Sequence, residues 1–209
     1  MFEEAPVYPQ VGDTLIKQGN STKALFADWM TGQWDFYANG YKRAGDILVD
    51  QLEGGTQDDP LILPILFSYR HYTELKLKTM IIGFDKLTGQ RMKDEKFGHN
   101  LEHLWSYLKN QLLSLPDKPM EKGVIPALDS LIREFIALDR GSYTFRYAQD
   151  KLRENEMPLP HQVDMPHLKE TMEKIKNGLD YLEAGIDVEY ERRDFEAEMS
   201  AEMQMYIDY

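Results

Sequence analysis

The sequence predicts an all-α protein, an up-and-down bundle of five to six helices. Apolar residues recur at helical spacing in several long stretches, and no stretch shows the apolar–polar alternation of a half-buried strand. Short segments rich in glycine, proline and aspartate separate these stretches. Together the three observations favour helices packed around one core.

The chain of 209 residues is long enough for one sizeable core. We expect residues 1–20, which show no sustained period, to form an N-terminal arm. Residues 21–190 are expected to form a single helical domain. Residues 191–209 are acidic and rich in methionine, and we expect a C-terminal helix or a tail that binds a partner.

The first predicted helical stretch covers residues 22–52. Gly32 weakens the pattern, so we expect a break near Thr31 that divides the stretch into a short helix and a longer one. The spacing is carried by these residues: Leu25, Trp29, Tyr37, Tyr41, Ala44, Leu48 and Leu52.

Residues 64–105 form the stretch around which the chain is organised. An apolar helix is predicted from Pro64, which fits only a first helical turn, to about Gly83. Gly98, His99 and Asn100 then open a second predicted helix that ends near Pro116. If these two helices pack antiparallel, the charged residues of the first meet the imidazoles of the second.

Two more helices follow. The cleanest amphipathic pattern starts at Val124 and ends near Asp139. A stretch of about 25 residues without a period comes next, and such a loop inside a compact domain usually has a function. Asp164 is the expected N-cap of the last long helix.

Composition limits the function. The net charge of −12 disfavours general DNA or RNA binding, because such proteins neutralise phosphates with lysine and arginine. The chain has no cysteine, which excludes disulfides and cysteine nucleophiles. It also has no apolar run of membrane-spanning length and no signal-peptide pattern near its start, so we expect a cytoplasmic protein outside the membrane.

Arg70, Glu74 and Lys78 recur at four-residue spacing on the first core helix, with His71 beside them. In one interpretation, Arg70 and His71 supply positive charge and proton transfer at a phosphodiester, and Glu74 orients one of them. In the other, Glu74 forms ordinary helical ion pairs with Arg70 and Lys78.

His99 and His103 are four residues apart. On one helix face they could ligate a metal, with His71 or Glu74 as a third ligand. His99 could equally serve the start of the helix, and our prediction is that the chain holds no metal and no cofactor.

Arg146 and Tyr147 form a second polar group in the aperiodic stretch. They could clamp an anion, or Arg146 could stack on aromatic rings and pair with Asp150. The sequence contains no phosphate-binding glycine loop and no nucleophile elbow, so ATP-driven chemistry is not indicated.

The segments YRHYTELKLKTMI and GHNLEHLW resemble the HEPN superfamily of helical domains, and TFRYAQDK resembles a later segment of an uncharacterised group within it. The resemblance covers roughly residues 37–187. It implies a four- or five-helix bundle, commonly a homodimer, in toxin–antitoxin, abortive-infection and other antiphage systems.

Many members of that superfamily are metal-independent ribonucleases with an arginine and a histidine four to six residues apart. Arg70 and His71 are adjacent here, so the resemblance leaves open a ribonuclease or a degenerate, non-catalytic relative. The alternatives from other classes are a protein-binding module with an acidic surface and a metal-binding bundle. The expected catalytic residues are Arg70, His71, Glu74, His99 and Asn100. The expected substrate-binding residues, toward RNA or a partner protein, are Lys78, His103, Arg146 and Tyr147.

Overall fold

The computed structural model describes residues 8, 33–52, 60–92, 97–115, 123–139, 145–146 and 162–207. Five α-helices account for most of them: α1 (Trp34–Leu52), α2 (Ile62–Thr88), α3 (Leu101–Ser114), α4 (Val124–Leu138) and α5 (Met165–Ile207). The described ranges contain no strand, so the predicted all-α class is confirmed. The short helix expected before Gly32 and most of the expected arm lie outside the described residues. Residues 33–209 form one compact unit.

Helix α2 is the centre of the bundle. It has 27 residues, of which 15 are buried, and it packs against α1, α3 and α5. Pro64 is in its first turn, as predicted. The helix continues beyond the expected end at Gly83 and stops at Gly89, whose left-handed φ of 68° ends the helical hydrogen bonding.

Helices α1 and α2 run antiparallel. Asp46 near the middle of α1 accepts a hydrogen bond from Tyr69, and Asp35 at the start of α1 pairs with Lys76, further along α2. The close approach depends on Gly45, since a Cβ there would lie 2.5 Å from the ring of Tyr69.

Helix α3 runs in the same direction as α2, which differs from both the antiparallel packing we considered and a strict up-and-down bundle. Contacts between the two segments join Arg70 to His99, Asp85 to Tyr107, and Gln90 to Gln111. Because the residue numbers increase in the same order on both sides, the two helices are parallel. Phe97, just before α3, lies at the start of α1, because its ring is 6.2 Å from that of Trp34.

Helices α4 and α5 complete the bundle. Leu128 lies against Gly178, and Phe135 shares a small apolar cleft of about 70 Å³ with Leu168 and Met172, so α4 and α5 are antiparallel. Asp164 caps α5 as predicted, because its Oδ1 accepts the main-chain N–H of His167 at 2.9 Å. The helix then continues through the acidic, methionine-rich segment to Ile207.

Every helix in the described ranges is too short or too polar to span a membrane.

Candidate functional site

Arg70 is the centre of a buried ionic network that links α2, α3 and α4. Its side chain is 1% exposed. Its Nη1 donates to Glu74 Oε2, its Nε lies 3.0 Å from Asp139 Oδ2, and its Nη2 donates to the main-chain oxygen of His99 at 2.5 Å. Two carboxylates therefore neutralise a guanidinium that water does not reach.

Glu74 is fully buried and accepts hydrogen bonds from three side chains, two on α2 and one just before α3. Besides Arg70, Lys78 Nζ lies 2.9 Å from Glu74 Oε1 and His99 Nδ1 lies 2.7 Å from the same oxygen. Burial alone raises the pKa of Glu74. The interactions with His71 and Lys78, together with the charges of Lys78 and Arg70, outweigh burial and hold the pKa of Glu74 well below its usual range.

Asp139 is a member of the network that our sequence analysis missed. It follows the last residue of α4, and its own N–H donates to Phe135 O at 2.9 Å. The sequence predicted that α4 ends at this aspartate. Nothing in the periodicity indicated that this end of α4 meets the middle of α2.

Lys78 is 6% exposed and lies beside two aromatic rings. Its Nζ is 5.8 Å from the centroid of Trp34 and 5.5 Å from that of Phe97. The aromatic faces and Glu74 together stabilise the buried ammonium group. Lys78 thus has its partners within the protein, although we expected it to contact a substrate.

His71 belongs to an aromatic cluster at the margin of the network. Its ring is stacked on Phe67, with centroids 5.5 Å apart, and meets Tyr41 edge-on at 4.3 Å. Its Nδ1 is 3.9 Å from Glu74 Oε2, beyond hydrogen-bond distance. Packing between rings fixes this imidazole.

His99 is the most accessible imidazole of the network, with its side chain 65% exposed. Because an ionised carboxylate only accepts hydrogen bonds, the contact with Glu74 places a proton on Nδ1 of His99. In the neutral ring, Nε2 is then the nitrogen without a proton. A buried carboxylate behind an exposed imidazole can orient a general acid or base.

Asn100 is the N-cap of α3. Its Oδ1 accepts the N–H groups of Glu102 at 2.9 Å and His103 at 3.2 Å, which satisfies two unpaired donors at the start of the helix. His99 therefore precedes the helix, and the idea that His99 and His103 share one helix face was wrong. Asn100 therefore has a structural role as the cap of α3, which accounts for this residue without a catalytic role.

The remaining predicted residues lie elsewhere or are not described. Arg146 is exposed and follows the buried Phe145. Tyr147 and Asp150 lie outside the described residues. Within the part of the chain that the structure describes, no three histidine or carboxylate side chains are grouped as a metal site would require.

A second ionic cluster, also missed by the sequence analysis, surrounds Lys76 on another face of α2. Its Nζ lies 3.0 Å from Asp35, 3.2 Å from Asp180 and 2.5 Å from Glu183. Burial lowers the pKa of Lys76, but hydrogen bonds and the charges of Glu183 and Asp35 outweigh it and raise the pKa above its usual value. This cluster joins α1, α2 and α5 and has no exposed imidazole or hydroxyl for chemistry.

Comparisons of the chain with protein-family models, with curated proteins and with solved structures gave no match.

Proposed function

We propose that this chain is a HEPN-like helical protein without ribonuclease activity, which acts by binding another protein through an acidic surface. The observation that carries the proposal is that the side chain of Arg70 is buried and paired within the protein. The residue is 1% exposed, with Glu74 and Asp139 as buried ionic partners.

A catalytic arginine in phosphoryl transfer must reach the phosphate and bring positive charge to it. Arg70 would have to leave two buried carboxylates, and removing one partner of a buried ion pair costs about 3–5 kcal/mol. Arg70, Lys78, Glu74 and Asp139 also sum to zero formal charge. The group therefore attracts a phosphodiester weakly, and the net charge of −12 adds repulsion.

The placement of His71 supports the same proposal. The ribonuclease signature of the superfamily requires a histidine that acts together with the arginine. Here His71 follows Arg70 directly and is packed against Phe67 and Tyr41.

One observation favours a second candidate, an acid–base ribonuclease that depends on His99. Its exposed ring and its contact with Glu74 are the arrangement that such a catalyst uses. The two candidates differ in whether RNA is cleaved.

The experiment is cleavage of labelled single-stranded RNA by the wild type, by His99→Ala and by His167→Ala. His167 is an exposed histidine on α5 with no predicted role in the site, and it serves as the matched control. We expect no cleavage by any of the three. Cleavage by the wild type and His167→Ala that His99→Ala lacks would overturn the non-catalytic proposal and establish the second candidate.

The binding part of the proposal needs its own measurement. We expect a tagged chain, purified from the cells that naturally make it, to retain a second protein in stoichiometric amount. Recovery of the chain alone, or with nucleic acid in place of protein, contradicts it.

The proposal includes the setting that the resemblance implies, a cytoplasmic homodimer in an antiphage or toxin–antitoxin system. Sedimentation of the purified chain tests the dimer. A monomer at concentrations of about 100 μM would remove this part, because obligate dimers dissociate at far lower concentrations.

A further inference from the structure

The C-terminal part of α5 projects beyond the bundle. The last anchored residues are Glu189, which is 5% exposed, and Arg193, whose guanidinium donates to Leu87 O at 3.4 Å. From Asp194 to Tyr206 every side chain is exposed. At 1.5 Å per residue, these 13 residues extend about 20 Å past the core.

The projecting segment, residues 194–206, has an apolar face. Successive residues of an α-helix are about 100° apart around the helix axis. Phe195, Met199 and Tyr206 therefore lie within about 40° of one another around this axis, and Met203 is next to them. These four side chains are 63%, 44%, 85% and 60% exposed, respectively. Val188 continues the same face toward the bundle and is also exposed.

Acidic residues border this face on both sides. The segment contains Asp194, Glu196, Glu198 and Glu202 and no lysine or arginine. In the helical projection, Glu196 lies on one side of the apolar face, and Glu198 and Glu202 lie on the other. The nearest cations, Arg192 and Arg193, precede the segment and both pair with Glu189, and Arg192 also pairs with Glu196.

We propose that residues 194–206 form the docking surface for a basic amphipathic helix of a partner protein. The inference rests on the proposed protein-binding function and names its site and partner chemistry. A partner helix with apolar residues on one face and lysine or arginine beside them would cover the apolar face and neutralise both acidic borders. Methionine is suited to such a surface because its flexible thioether adapts to the side chains that it meets.

Charge decides between this partner and a second copy of the chain. Two copies paired through this segment would place acidic borders against each other in either orientation, with no lysine or arginine in residues 194–206 to compensate. Like charges that face each other across a helix pair are destabilising.

The experiment titrates the full chain with a fluorescent helical peptide of about 18 residues, made of leucine and lysine with the leucines on one face. We expect binding that weakens as salt rises from about 50 to about 300 mM. The variant Phe195→Glu/Met199→Glu should bind at least about tenfold more weakly. The control Ile47→Glu/Leu113→Glu, on exposed apolar residues of α1 and α3, should bind like the wild type.

A basic peptide could also bind any acidic protein. A matched pair of variants therefore tests whether the location of the acidic residues matters, and not only the net charge. Glu196, Glu198 and Glu202 are changed to glutamine in one variant, and the exposed Glu102, Glu134 and Glu170 in the other. Both variants have the same net charge. We expect only the first to lose affinity, and equal loss in both would overturn the proposal.

Circular dichroism of each variant checks that the helices are intact, which is expected because all of the substituted side chains are exposed. Self-association of the wild type without peptide that Phe195→Glu/Met199→Glu abolishes would identify a second copy as the occupant and overturn the proposal. If the native partner still co-purifies with Phe195→Glu/Met199→Glu, the docking site is wrong and the protein-binding function stands. If no partner co-purifies with any form, the function itself fails.

Discussion

Arg70 Nη2 donates a hydrogen bond to the main-chain oxygen of His99, 2.5 Å away. The oxygen belongs to the residue before the N-cap of α3, so the guanidinium fixes where that helix starts. Because Glu74 binds both Arg70 and the imidazole of His99, side chain and main chain are held by one network.

The first prediction concerns Glu74. The change Glu74→Ala leaves Arg70 and Lys78 buried without a shared carboxylate, and we expect a loss of about 3–5 kcal/mol in the free energy of unfolding. Denaturant unfolding measures it. Glu170→Ala, which removes an exposed i,i+4 pair with Lys174, is the control and should change little. Equal, small effects of both substitutions would show that the network is solvated.

The second prediction is a pH dependence. The pKa of Glu74 is lowered in the folded protein relative to 4.5, so its ionised form binds the network more strongly than the protonated form. The stabilisation is complete above about pH 4.5 and is lost as pH falls from there toward the folded pKa. The stability difference between wild type and Glu74→Ala should therefore shrink below pH 4.5. A constant difference down to pH 3 would contradict the assigned direction.

The third prediction compares two glycines of α1. Gly45→Ala should destabilise the protein by about 1–3 kcal/mol, because the new Cβ meets the ring of the buried Tyr69. Gly40→Ala has open space around it and should stabilise the helix by about 0.5–1 kcal/mol. Thermal unfolding of both variants checks the opposite signs. A gain for Gly45→Ala would mean that the helices are not in close contact there.

The fourth prediction concerns the cap of α3. We expect Asn100→Ala to cost about 1 kcal/mol of stability, because two main-chain N–H groups lose their acceptor, whereas Asn100→Asp should retain it. Chemical denaturation of the three forms tests this. If alanine and aspartate have the same effect, the side chain does not cap the helix.

Much of the fold could be predicted from spacing alone. The periods of α2 and α4 placed these helices within a few residues of their observed bounds, and Asp164 was the expected cap of α5. The helix α5 itself continues well beyond the expected domain boundary at residue 190. The grouping of Arg70, Glu74, Lys78 and His99 was also expected, because charges at four-residue spacing on an apolar helix need partners.

Other features could not be predicted because periodicity gives the buried face of a helix and not the neighbour that covers it. Asp139 forms an ion pair with Arg70, 69 positions away in the sequence. Lys76 forms ion pairs with carboxylates of α1 and α5. The shared direction of α2 and α3 could not be predicted, because the sequence between the two helices shows no hydrophobic period that would indicate where α3 begins. The buried state of Arg70 follows from these tertiary contacts.

The ion pair between Lys42 and Glu173 has a consequence for how the chain folds. It joins α1 to α5 across 131 positions, and Lys169 with Asp50 joins the same helices nearby. Closing so long a loop costs entropy that local contacts do not recover, which slows folding. During synthesis α1 must wait for α5 to leave the ribosome, so the bundle is completed only once that helix has emerged.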